Sequence, residues 1–65
     1  MIAFLKGTMA GSTLSHAFIN VNGVGFSVGM SATDLSRLPD RGSEVMVYTH
    51  LSVREDAMVL YGFLS

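Results

Sequence analysis

The chain has 65 residues, no cysteine and a formal net charge of −1. A single core of this size supplies only about 3–5 kcal/mol, and disulfides cannot add to it, so we expect support from further copies or domains. Four basic residues against five acidic ones exclude the basic stripe that nucleic-acid binding normally needs.

Three short β-strands are predicted in the first half of the chain, at residues 2–9, 14–20 and 24–30, with a turn at 10–12 between the first two. Asn22-Gly23 is the strongest hairpin signal, because both residues tolerate the positive φ of a type I′ turn. Alternate positions from Val24 to Met30 are apolar, as in a strand with one buried face.

A helical period replaces the alternation between residues 31 and 38. Ser31 is a suitable N-cap, Asp34 suits the first helical turn, and Pro39 ends the helix before a turn at 40–42. This segment predicts one short helix.

Two more strands are predicted at residues 44–51 and 58–63, on either side of the polar segment Arg54-Glu55-Asp56. The last strand is apolar on both faces, so it is predicted to be central or covered by another subunit. Three strands, a helix and two strands predict an all-β protein. The predicted fold is a five-stranded OB-fold barrel with one short helix between strands 3 and 4, forming one domain over residues 1–65. The nearest competitor, an SH3-like barrel, normally lacks that helix.

No catalytic residue, cofactor site or metal site is predicted. His16 and His50 lie on different predicted strands, and two histidines without a cysteine do not suit a structural zinc site. Gly23-Val24-Gly25 lacks the third glycine and the strand–loop–helix context of a nucleotide loop. We therefore expect a protein that is not an enzyme.

An OB-fold barrel can bind single-stranded nucleic acid by stacking bases on aromatic side chains. The candidates for such stacking are Phe26, Tyr48, Tyr61 and Phe63. Core packing is favoured for these side chains, because large apolar groups dominate small cores. The basic residues are also scattered along the sequence, at Lys6, Arg37, Arg41 and Arg54.

The C-terminal part of the chain contains a motif that is specific to one protein family. Val53-Arg54-Glu55-Asp56 followed by Leu60-Tyr61-Gly62-Phe63, with Thr49-His50 before them, resembles the RuvA family of Holliday-junction proteins. Further matches in order and spacing run through the whole chain, at Met1-Ile2, Leu5, Gly7, Gly23-Val24-Gly25-Phe26 and Leu38-Pro39. Ala3 and Phe26 depart mildly from the family pattern, where glycine and tyrosine are usual.

The resemblance implies a homotetramer that holds four-way junction DNA open and recruits the RuvB motor for branch migration. This chain would be the OB-fold domain at the tetramer core. Helix-hairpin-helix and RuvB-binding domains would lie outside it and supply most of the DNA affinity. Spacing alone favours a solvated turn at Glu55 and Asp56, but the resemblance implies an acidic pin at the junction crossover. Arg54 is a candidate for contact with the DNA backbone.

Two alternatives to a junction role remain open: a generic single-strand-binding OB module, and a purely structural assembly domain. No apolar run approaches the roughly 20 residues of a membrane span, and the first residues lack the basic-then-apolar layout of a signal peptide. No membrane partner is expected, and the cytoplasm is the expected location.

Overall fold

The computed structural model describes residues 3–65. It contains five strands and one helix: β1 Phe4–Ser12, β2 His16–Val21, β3 Val24–Gly29, α1 Ala32–Ser36, β4 Glu44–Val53 and β5 Met58–Phe63. The strands close into a barrel in the order β1-β2-β3-β5-β4, with β4 returning to β1. All neighbours are antiparallel except β3 and β5, which pair in parallel through Gly29 and Tyr61. This order, with one helix between β3 and β4, confirms the predicted OB-fold barrel.

The core forms because successive side chains of a strand point to opposite faces, and barrel closure turns one face of every strand inward. The buried apolar side chains are Leu5, Met9, Ala17, Ile19, Val28, Val45 and Val47. β5 lies between β3 and β4, so it is not an edge strand, which is one of the two arrangements that its two apolar faces predicted.

The hairpin between β2 and β3 has the predicted type I′ geometry. Asn22 and Gly23 have φ of +52° and +90°, and Val21 pairs directly with Val24. The amide of Gly23 donates to Asn20 Oδ1 at 2.7 Å, which fixes the turn.

The turn predicted at residues 10–12 is wrong. β1 continues to Ser12 across an irregularity between Met9 and Gly11, because a β-bulge absorbs an extra residue without ending the strand. The chain instead turns just after Ser12, where Thr13 Oγ1 accepts the amides of Ser15 and His16 at 3.3 and 3.1 Å. The predicted second strand therefore loses residues 14 and 15. The predicted start of β1 at residue 2 and the Met1-Ile2 match lie outside the described residues.

The helix begins as predicted but is shorter. Ser31 Oγ accepts the amide of Asp34 at 3.2 Å, and the helix ends at Ser36 with Arg37 as its C-cap. Asp34 also reaches the end of the barrel, where its Oδ2 accepts the amide of Leu64 at 3.3 Å. The helix thus connects to the residue that follows β5. No helix within residues 3–65 has the length and apolarity needed to cross a membrane.

Candidate nucleic-acid interface

Among the described residues, the β4–β5 hairpin continues past the last pair that either strand makes with its other neighbour. Its ladder runs from the pair Tyr48–Phe63 to the pair Val53–Met58. The last β1–β4 pair in the described residues is Phe4–Tyr48, beyond which the amide of Thr49 donates to the carbonyl of Ala3 at 3.0 Å, and β3 pairs with β5 at Gly29–Tyr61. Within residues 3–65, the three pairs nearest the tip therefore have no third strand beside them. β4 is two residues longer than the predicted 44–51.

The tip of this hairpin carries the three predicted site residues. The amide of Arg54 donates to the carbonyl of Ala57 at 2.7 Å and closes a turn with Glu55 and Asp56 between them. All four residues are exposed. Among the described residues, neither Glu55 nor Asp56 has a hydrogen bond or ion pair. The described structure thus presents two exposed carboxylates in this turn without a partner to hold them.

The apolar pattern of the barrel interior continues along the hairpin. Leu51 and Leu60 pair on the inward-facing side and are partly buried. The next pair on that side, Val53 and Met58, is 66% and 70% exposed. We call Val53 and Met58 the apolar flank of the hairpin. The sequence analysis did not identify this flank as a candidate site. The signal for it was the alternation of apolar residues, which continues along β4 to Val53 and starts in β5 at Met58.

An exposed aromatic surface covers the outer side of β1, β4 and β5. Strand pairing places its aromatic side chains next to one another, because Tyr48 pairs with Phe4 of β1 and with Phe63 of β5. We call this surface the aromatic face; it consists of Phe4, Met46, Tyr48, Tyr61 and Phe63. The expectation that Tyr48, Tyr61 and Phe63 pack in the core is wrong, since they are 49%, 43% and 48% exposed. Phe26 does pack against the core, as predicted.

The two histidines lie on the outer surface on either side of Tyr61. Tyr61 pairs with His50 across β4 and with Gly29 across β3, and His16 pairs with Gly29 from the other side. Ser15 Oγ and His16 Nδ1 are 2.7 Å apart, between consecutive residues of the chain. No group of three or more potential metal ligands occurs in the described part of the chain.

The basic side chains do not form a groove. Lys6 Nζ is paired with Glu44 Oε1 at 3.0 Å on β1 and β4. Arg37 caps the helix and Arg41 lies in the turn before β4, whereas Arg54 lies at the far end of β4, beside the acidic pair. Each patch of the surface therefore offers at most one or two cations to phosphate.

Comparison with known proteins identifies one family. The family model described as the RuvA N terminal domain matches residues 1–62. The chain is 49% identical over 63 residues to the Holliday junction branch migration complex subunit RuvA of Chlorobium phaeobacteroides, covering 97% of the chain and 32% of that relative. The same subunit of Pseudomonas putida is 52% identical, and that of Pseudomonas aeruginosa 51%, each over 97% of the chain and 31% of the relative. The chain thus spans about one third of the length of these relatives.

Proposed function

Because this chain belongs to the RuvA N-terminal domain family, we propose that it forms the core of a Holliday-junction-binding subunit in branch migration during DNA recombination and repair. It acts in the cytoplasm without catalysing a reaction. The observation that carries the proposal is the exposed turn of the β4–β5 hairpin, which presents Glu55 and Asp56 free of any partner among the described residues.

The acidic tip acts on DNA by repulsion. OB-fold proteins commonly contact oligonucleotides through the loop between strands 4 and 5, which is this hairpin. A carboxylate about 6 Å from a phosphate is repelled by about 0.7 kcal/mol in water and about 3 kcal/mol where the effective dielectric constant is near 20. Two such groups on each copy disfavour close packing of the phosphate backbones at a crossover. The junction is therefore held open, and the exchanging strands are guided apart at its centre.

Attraction to DNA comes mostly from outside this chain. The relatives are about three times as long as the region matched here. We assign the helix-hairpin-helix contacts to DNA and the contact with the RuvB motor to the additional length. Arg54, adjacent to the acidic pair and exposed, is the one basic residue on the tip. We assign it a contact with the DNA backbone that positions the hairpin.

The proposed junction site is formed by several copies of the chain. Large exposed apolar patches mark interaction surfaces, and the aromatic face is the candidate contact between copies in a homotetramer. A ring with four-fold symmetry repeats one contact between two different surface patches. Such a ring brings four acidic hairpins to one junction.

The proposal is tested in a full-length RuvA that carries this chain as its N-terminal domain. The Glu55→Gln/Asp56→Asn double variant removes charge but keeps side-chain size. We expect the affinity for duplex DNA to hold or rise and the preference for four-way junction over duplex to fall about tenfold, because repulsion at the crossover is lost. The rate of RuvB-driven branch migration also changes.

The matched control is Asp40→Asn, which removes one exposed carboxylate at the opposite end of β4. It leaves the junction preference unchanged. Both variants keep the unfolding free energy within about 0.5 kcal/mol of wild type, as is usual for exposed surface changes. A large loss of stability in the acidic double variant, with junction preference and migration rate intact, contradicts the proposal and makes the pair structural.

A second candidate function is single-strand binding, which the exposure of Tyr48, Tyr61 and Phe63 favours. Stacking of bases on aromatic rings contributes about 1–3 kcal/mol per base. The nearest basic side chain on this face, Lys6, is paired with Glu44, so the surface lacks free cations for the backbone. If Tyr61→Ala lowers single-strand affinity more than Glu55→Gln/Asp56→Asn changes junction preference, this second function is the correct one.

A further inference from the structure

The apolar flank, Val53 and Met58, lies directly behind the acidic tip. Both residues are about two-thirds exposed, so the barrel gains little from them. They form the last pair of the hairpin ladder before the Arg54–Ala57 turn. A partner that covers the valine and the methionine would gain apolar burial that the barrel itself does not use. Because the two side chains lie next to the acidic turn, a molecule that contacts the turn would also contact them.

We propose that the apolar flank is a wedge that contacts unpaired bases at the junction crossover. This inference rests on the proposed junction function and adds two contact residues to it. Proteins that open or kink duplex DNA use apolar side chains such as methionine to cover base faces that have lost a stacking neighbour. Val53 and Met58 supply such a surface immediately beside the charges that repel the backbone.

Charge decides which part of the DNA approaches this flank. Glu55 and Asp56 repel phosphates. The bases are the uncharged part of the strand, and an unstacked base exposes a large apolar face. The hairpin therefore combines repulsion of the backbone with an attractive surface for the bases. That combination favours a locally opened junction over a stacked one.

Charge also disfavours a second copy of the chain as the occupant. Two hairpins packed flank to flank would bring their acidic tips together, and like charges brought close oppose such a contact. The aromatic face, which carries no acidic residue of its own, suits association between copies better.

The test uses a full-length RuvA carrying this chain and a four-way junction with 2-aminopurine at the crossover, whose fluorescence rises when the base unstacks. The variant is Val53→Thr/Met58→Gln, which keeps β-branching and side-chain length but makes the flank polar. We expect the protein-induced rise to fall at least about twofold at the crossover. A 2-aminopurine in the middle of an arm reports no change.

Three further variants make the result specific. Leu14→Gln/Val24→Thr makes the same kind of exchange at exposed positions on the barrel and leaves the signal unchanged. Met58→Leu keeps the flank apolar and retains the full rise, which a merely local distortion of the hairpin would not predict. Glu55→Gln/Asp56→Asn, the variant that tests the proposed function, also lowers the signal.

The other possible outcomes contradict either the wedge alone or the wedge together with the proposed junction function. If only the acidic variant lowers the signal, the wedge is wrong and the acidic pin stands. If Val53→Thr/Met58→Gln dissociates the tetramer in sedimentation velocity, the flank is a contact between copies and the wedge is wrong. If neither variant changes the signal, the proposed junction function fails together with the wedge.

Discussion

At the residue scale, barrel closure depends on a glycine in β5. Gly62 is buried, and a Cβ built on it would lie 2.5 Å from Val28 Cγ1. Val28 is fully buried and its β-branched side chain has little rotamer freedom, so it cannot move away cheaply. The family-like Leu60-Tyr61-Gly62-Phe63 segment thus contains a packing requirement as well as two exposed aromatic rings.

Gly62→Ala should destabilise the fold by about 1–3 kcal/mol, the usual cost of overpacking a closed core. Gly25→Ala is the matched control, because Gly25 is an exposed strand glycine with no heavy atom within 4 Å of an added Cβ. Urea unfolding followed by circular dichroism measures both. Equal stabilities of the two variants would show that Val28 does not press on Gly62.

At the element scale, α1 is joined to the end of β5 by one side chain. Asp34 Oδ2 accepts the amide of Leu64, whose side chain packs against the core. The same residue places negative charge in the first turn of the helix, where the helix dipole favours it. The helix therefore covers one part of the barrel through a contact that the sequence pattern alone did not predict.

Asp34→Ala should lower the unfolding free energy by about 1–2 kcal/mol, from the lost hydrogen bond and the lost charge at the helix start. Thr33→Ala, an exposed neighbour in the same turn, is expected to stay within about 0.5 kcal/mol of wild type. Thermal unfolding of the two variants checks this. A Thr33→Ala variant as unstable as Asp34→Ala would contradict the contact with Leu64 as the cause, because helix propensity favours alanine at both positions.

The elements themselves could be predicted because their signals are local. Alternation, the Asn22-Gly23 turn and the Ser31 cap each depend on a few neighbouring residues, and each is confirmed. The turn predicted at 10–12 failed because small and polar residues accompany a bulge as readily as a turn. The extra length of β4 was missed because the residues after Leu51 are as compatible with a loop as with a strand.

The site was only partly predictable for a similar reason. Arg54, Glu55 and Asp56 were identified by resemblance, and the fold brings them into one turn. The direction of Tyr48, Tyr61 and Phe63 depends on which face of β4 and β5 closes inward. Both faces of β5 are apolar, so local pattern could not decide it. Val53 and Met58 form the last pair of the β4–β5 ladder, where neither strand has a third strand beside it among the described residues, and the sequence pattern does not show this.

At the scale of the whole molecule, the exposed aromatic face predicts that the chain self-associates. We expect a tetramer at micromolar concentration in sedimentation velocity. Tyr48→Thr/Phe63→Thr should weaken association at least about tenfold, because aromatic anchors carry much of an interface's energy. Val24→Thr, exposed at the β2–β3 hairpin, is the control and leaves the mass unchanged. A well-folded wild-type monomer would contradict the assignment of the aromatic face.

The position of the acidic tip on the junction is the central claim, and one cross-linking measurement tests it most directly. The chain has no cysteine, so Glu55→Cys provides a unique attachment point for a photo-cross-linker, in a full-length RuvA whose other cysteines are replaced. Asp40→Cys is the charge-matched control. Asp40 precedes β4 and Glu55 follows it, so the length of this 10-residue strand, about 30 Å, lies between them. We predict cross-links from position 55 to the nucleotides at the crossover and none there from position 40. Cross-links from position 55 spread along the arms, or absent from the crossover, would contradict the account.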